Sequence, residues 1–238
     1  MARQLNQTQQ TTLKIIVKFR YVTTDNLAAY RQISSNAAYS SLEILRKTGL
    51  IGKLYDTTYR LQNKSARYYL TQNGIAYVRK ELLPQLTSSL WAIRKNDAAK
   101  SMNFIDEQVA IHSACNQLRS KYGDKSRILT ATELYGVNGI MKPLPGLLVE
   151  LVSGKSFFVE VTDGQHLFMV KKRIRKYIKN YEDNEWDWEV YPDVYIVRLK
   201  APDRTRLRKY VEEQMENAYL DGDDFNIKVV NEAMSITT

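Results

Sequence analysis

Amide, hydroxyl and phenol side chains gather at Ser35, Asn36, Tyr39 and Ser40, and two cations follow at Arg46 and Lys47. An asparagine amide donates and accepts at once, so it can meet one edge of an adenine through two hydrogen bonds. Guanidinium and ammonium groups match phosphate oxygens, which fix register without reading sequence. Arg60, Asn63, Lys64 and Arg67 form a second polar group in a stretch rich in Tyr and Thr. A third group, around Lys171, Lys172 and Arg175, lies on a segment whose Val170, Ile174, Tyr177, Ile178 and Tyr181 recur at helical spacing. That segment is therefore an amphipathic helix with a basic face. Each phosphate such a face neutralises releases counterions and adds salt dependence to binding. An ordinary solvated face is the alternative for this cluster, and the acidic run 182–189 could simply pair with it.

Charge agrees with a polyanionic partner. The 238 residues carry a formal charge of +9, with 44% hydrophobic and 26% charged residues, ordinary for a folded protein. Residues 1–102 hold 16 Lys/Arg against 5 Asp/Glu, a balance of +11, while the remainder holds 19 against 21. A strongly positive segment on a nearly neutral body is the electrostatic footprint of nucleic-acid binding. No run approaches the ~20 apolar residues of a membrane span, and the opening MARQLNQTQQTT lacks the apolar core of a secretory leader. One cysteine, Cys115, excludes an internal disulfide framework and fits a reducing compartment. A cytoplasmic protein without a membrane role is expected. His112 and His166 with one cysteine cannot build a zinc finger, and no cofactor or metal is expected. His112 reads as a packing histidine and Cys115 as a small buried hydrophobe.

The elements that must position these groups can be read from periodicity and capping. A first helix is expected over Gln9–Phe19, where Leu13, Ile16, Val17 and Phe19 form an apolar stripe. Thr23-Thr24-Asp25 supplies an N-cap for a short second helix burying Leu27 and Ala28. The break Ser34-Ser35-Asn36 opens a third helix, Ala37–Lys47, with Ala38, Leu42 and Leu45 inward and Gly49 as a positive-φ stop. Two strands follow, Lys53–Leu61 and Ala66–Leu70, joined by the turn Gln62-Asn63-Lys64-Ser65. Thr71-Gln72-Asn73-Gly74 then caps a helix carrying Ile75, Val78, Leu82 and Leu83. Three helices, a hairpin and a helix make a winged helix-turn-helix.

The pieces Leu45-Arg46-Lys47-Thr48-Gly49-Leu50-Ile51 and Arg67-Tyr68-Tyr69-Leu70-Thr71-Gln72-Asn73-Gly74 resemble MarR-type winged helices over about residues 10–83. In such a fold the third helix enters the major groove by its N-terminal residues. That places Ser35, Asn36, Tyr39 and Ser40 at base edges, with Asn36 as the base reader. Arg46 and Lys47 then meet phosphates, and Arg60, Asn63, Lys64 and Arg67 reach the backbone or the minor groove. A protein-docking module is the alternative for the same surface.

Three segments are expected: a winged-helix domain (1–83), a linker with an anchor at Leu90-Trp91-Ile93 (84–102), and an α/β domain (103–238). In the last, a helix at Asn103–Tyr122 precedes strands at 126–135, 145–152, 156–162 and 194–199. Helices at Gln165–Tyr181 and Arg204–Tyr219 alternate with the later strands, and the tail holds a strand at Phe225–Val230 before it frays. Ser153-Gly154-Lys155 is a hairpin signal. The whole is an α+β chain.

The run Lys142-Pro143-Leu144-Pro145-Gly146-Leu147-Leu148, the run Phe157-Phe158-Val159-Glu160-Val161-Thr162-Asp163-Gly164 and the helix through Lys171, Lys172 and Tyr177 resemble the PD-(D/E)XK, restriction-endonuclease-like fold. More narrowly, the chain is similar to the replication-relaxation family of plasmids and conjugative elements, which joins a winged helix to such a half. The resemblance implies a double-stranded DNA-binding accessory protein of a mobile element, acting in replication or relaxosome assembly or their control. Its implied partners are duplex DNA and a replication or relaxase protein; the oligomeric state stays open, a homodimer being the usual way for one winged helix to gain affinity and read a palindrome. A MarR-like transcriptional regulator is the alternative. A Mg²⁺-dependent nuclease using Glu160 is the second alternative. Such nucleases need an acid after the proline and a lysine near the water. Here Gly146 follows Pro145, and Thr162 stands at the lysine position, so no catalytic or metal residue is expected. Glu133, Glu150, Asp163 and Lys171 are the groups from which shifted positions could rebuild a site.

Overall fold

The computed structural model describes residues 5–237; the other residues of the opening polar stretch, 1–4, and Thr238 lie outside the described residues. It is an α+β protein with a two-stranded and a five-stranded sheet. The chain divides into two compact units, 1–112 and 113–238.

In the first unit, α1 (Gln7–Phe19) opens two residues earlier than periodicity predicts. Asn6 and Gln9 form a reciprocal capping box that satisfies amides the helix itself leaves without partners. Helix α2 (Thr24–Arg31) starts at Thr23, whose hydroxyl accepts from the Asn26 amide. Helix α3 (Ser35–Lys47) starts at Ser34 in the same way. Leu13, Ile16, Leu27, Ala38, Leu42 and Leu45 are fully buried between the three helices. Each such leucine or isoleucine contributes roughly 1.5–3 kcal/mol relative to exposure.

Strands β1 (Ile51–Leu54) and β2 (Arg67–Leu70) pair antiparallel, and a bridge from Val22 to Tyr68 adds a third edge. The span between them differs from the expected strand over Lys53–Leu61. Only its first two residues belong to β1, and Thr57–Leu61 forms a short helix, α4. Asp56 caps it by accepting from the Tyr59 amide, and Tyr59 turns inward to 4% exposure. Tyr and Thr favour strands, but a local cap and a buried ring override that propensity.

Thr71 caps α5 (Gln72–Tyr77) and also donates its hydroxyl to the Gly49 carbonyl at 2.6 Å. A Cβ on Gly74 would stand 1.9 Å from the Leu50 carbonyl oxygen, so only glycine fits there. One wider turn, Val78–Leu82, extends α5.

The stretch expected as a linker lies within the first unit and holds α6 (Ser88–Ala92), with Leu90 and Trp91 each 2% exposed. Arg94 donates to the Val17 carbonyl, and Asp97 accepts from Arg20 at 2.5 Å. Burial raises the Asp97 carboxyl above its usual value although the Arg20 guanidinium opposes it. Helix α7 (Met102–Tyr122) follows, and the division between units falls inside it. His112 is fully buried, stacked on Phe19 with centroids 3.8 Å apart and edge-on to Tyr30.

The second unit is built on a sheet ordered β3-β4-β5-β6-β7: Arg127–Thr130, Leu147–Glu150, Ser156–Val161, Asp193–Val197 and Ile227–Val230. The first three run antiparallel and the last three parallel. All are shorter than the spans read from the sequence. A turn at Gly154 (φ +87°) joins β4 to β5 as expected. Helix α8 (Leu167–Asp183) links β5 to β6, and α9 (Ala201–Asn217) links β6 to β7. Phe158, Val194, Ile196, Ile227 and Val229 share a core with Val170, Ile174 and Tyr177 of α8 and Leu207 and Val211 of α9. Strand alternation sends Phe157 and Tyr195 to the opposite face, where Phe157 meets Tyr122 at 5.9 Å.

Candidate nucleic-acid interface

Helix α3 presents two unlike faces. Ala38, Ser41, Leu42 and Leu45 are buried, whereas Ser35, Asn36, Tyr39, Ser40 and Lys47 are exposed. The exposed residues recur at three- and four-residue steps, so they line one side of the helix. Among them stands Glu43, which organises its neighbours. It accepts from Arg46 at 2.8 Å, from the Tyr68 hydroxyl at 3.0 Å and from Lys53 at 3.3 Å. Burial alone would raise this carboxyl, but the three donors outweigh it and hold it below the ordinary glutamate value. Arg46 is thus an exposed but tethered cation, and Lys47 is the second exposed cation at that end.

Lys53 and Tyr55 extend this surface, and sequence reading missed them. The Lys53 ammonium lies 5.8 Å from the Tyr39 ring and 5.9 Å from the Tyr55 ring. Tyr39 and Tyr55 are about half exposed. Their signal in the sequence was the alternation Lys53, Tyr55 leaving β1, hidden by reading the whole stretch as hairpin.

The second predicted group is divided by the fold. Arg60 and Asn63 are exposed, with Asn63 in the left-handed region at φ +51°. Lys64 and Arg67 instead both turn to Asp106, at 2.6 and 3.0 Å. Arg67 is buried, and its guanidinium also sits 5.3 Å over the Tyr59 ring. These two cations hold the β2 approach to α7 by sharing one carboxylate, so their charge is partly offset within the unit.

In the second unit Lys172 and Arg175 are exposed on α8, while Lys171 is half-buried with its ammonium 4.4 Å from the Tyr210 ring. The acidic run 182–189 begins in the last turn of α8, where Asp183 pairs with Lys179 at 2.8 Å. Its tryptophans pack inward, Trp188 edge-on to Phe158 at 5.5 Å and Trp186 against Tyr191 at 5.2 Å.

Glu160 is buried and ion-paired with Arg173 at 2.5 Å, and it also accepts from the Tyr177 hydroxyl. Burial alone would lower the Arg173 guanidinium, but the adjacent Glu160 charge raises it; Tyr177 is driven well above its usual value by burial first. The remaining acids are separately engaged. Glu133 accepts from the Thr130 amide, Glu150 pairs with Arg127, and Asp163 accepts from the Leu199 amide. No group of three or more His, Cys, Asp or Glu side chains suited to a metal ion occurs among the described residues. No helix among them is long and apolar enough to cross a membrane.

No family model, curated protein or solved structure matches the chain.

Proposed function

We propose that the first unit is a winged helix-turn-helix that binds duplex DNA, with α3 in the major groove and the β1–β2 flank against the backbone. The observation that carries this reading is the exposed polar face of α3. Asn36 opens it and Lys47 closes it, on the unit that holds the chain's positive excess. Asn36 reads a base, Tyr39 and Ser40 line the groove, and Lys47 and Arg60 take phosphates. Lys53, between Tyr39 and Tyr55, adds a further phosphate contact. Lys64 and Arg67 act through Asp106 to brace the wing and make no direct contact with DNA.

With the family resemblance beside it, this makes the chain a DNA-binding accessory protein of a mobile element, in replication or relaxosome assembly. The second unit serves as a binding body rather than a nuclease. The pairing of Glu160 with Arg173 supports that assignment, because a cation already occupies the place where a metal would have to approach the carboxylate.

Selection of preferred duplexes from a randomised pool, followed by titration of the selected and a scrambled duplex, tests the proposal. Asn36→Ala is expected to weaken the selected duplex by about 1–3 kcal/mol and leave the scrambled one unchanged. Lys47→Ala is expected to weaken both and reduce the salt slope by about one unit. Equal effects of the two substitutions on both duplexes would contradict the division into reader and phosphate contact.

A further inference from the structure

An open groove of about 500 Å³ lies between α8 and α9 on the outer side of the second unit. Phe168 and Lys171 line it from α8, and Arg206, Lys209, Tyr210 and Glu213 from α9. Phe168 is 67% exposed, an unusual placement for a phenylalanine beside a packed core. The phenol of Tyr210 is a fixed wall. Lys171 sits over its ring at 4.4 Å, and Arg175 donates to its hydroxyl at 2.9 Å. Lys171 of α8 with Arg206 and Lys209 of α9 thus line the groove beside an uncovered aromatic ring, against the single acid Glu213.

We propose that this groove binds a single strand of nucleic acid, with an unpaired base stacked on Phe168 and the flanking phosphates held by Lys171, Arg206 and Lys209. An exposed ring with cations on both sides is the combination such binding uses, because every unpaired base has a π-face and every linkage a negative charge. A duplex hides its base faces within the stack and leaves Phe168 without a partner. A purely acidic peptide satisfies the cations but makes no use of the ring. The groove is open rather than enclosed, which suits a passing strand. This assignment stands apart from the duplex reading of α3, since it uses residues of the second unit alone.

The test is fluorescence anisotropy of the full chain with labelled oligonucleotides of about 12 nucleotides, a length within the usual site size for such strands. The probes are oligo(dT), oligo(rU) and an abasic strand of equal charge, with oligoglutamate as competitor. Oligo(dT) or oligo(rU) is expected to bind at least about five-fold more tightly than the abasic strand, as base–aromatic stacking implies. Tighter binding of either one than of the abasic strand supports the groove. Phe168→Ala, at an exposed position that does not threaten folding, is expected to erase that difference. Arg206→Glu with Lys209→Glu is expected to weaken all strands and to flatten the salt slope by more than one unit. Asn36→Ala is expected to leave single-strand binding unchanged, so failure here is distinct from failure of the α3 reading. Equal binding of base-bearing and abasic strands, no effect of Phe168→Ala, or equal competition by oligoglutamate would overturn the proposal.

Discussion

Glu43 and Glu160 are both carboxylates held by an arginine, and burial makes their consequences different. Glu43 lies near the surface and its folded-state value is lowered by Arg46, Tyr68 and Lys53. Its contribution is therefore fully present above the ordinary glutamate range, about pH 4.3. It is lost as pH falls through the lowered folded-state value. Urea unfolding should show Glu43→Gln less stable than the parent by about 1 kcal/mol at neutral pH, after solvent screening. The difference should shrink as pH falls below the ordinary glutamate range; a difference that stays equal throughout acid titration would contradict the assignment. The same substitution frees Arg46 to take a further phosphate, so the salt slope of duplex binding should steepen by about one unit. Glu160 is 7% exposed and Arg173 13%. Arg173→Met leaves a buried charge without its cation and should cost about 3–5 kcal/mol in urea unfolding. Adding Glu160→Gln should recover part of that loss, and no recovery would show that the pair is not coupled.

At the scale of elements, the packing of the β2–α5 turn against the α3–β1 turn carries the tightest constraint. Thr71 bonds back to Gly49, and Gly74 lies against the Leu50 carbonyl. Gly74→Ala should lower stability by about 1–3 kcal/mol through forced displacement, which thermal unfolding would read. An unchanged midpoint would contradict the close approach. Such features were legible because caps and glycine stops are local chemistry: Thr23, Ser34, Gly49 and Thr71 stand where the sequence places them. The succession of strands and helices along the second unit was legible for the same reason, as short apolar runs between turn signals. What the sequence hid was pairing over distance. Lys64 and Arg67 look like free cations until Asp106, 42 and 39 residues away, is brought to them. Helix α4 was hidden because Tyr and Thr propensity pointed to a strand, while the burial of Tyr59 is decided by neighbours distant in sequence. The α8–α9 groove was hidden too, because Arg206, Lys209 and Tyr210 belong to a helix with only a narrow apolar stripe, Leu207 and Val211.

For the whole molecule, the charge of +9 is carried by one unit. Residues 1–112 hold 16 Lys/Arg and 7 Asp/Glu, whereas residues 113–238 hold 19 of each. The neutral second unit is polarised, with cations along α8 and acids after it, so only part of its surface attracts a polyanion. The central claim is that α3 and its flank bind duplex DNA. Its most direct test is anisotropy of a labelled duplex with the full chain across a salt series, run on the parent and on Lys47→Glu. With Lys47, Arg60 and Lys53 as phosphate contacts, log K should fall against log salt with a slope of about −3 per chain. Lys47→Glu should weaken binding at every salt concentration and flatten that slope by about one unit or more. Absence of binding at low salt, or a slope indifferent to Lys47→Glu, would contradict the account and make the first unit a protein-docking module.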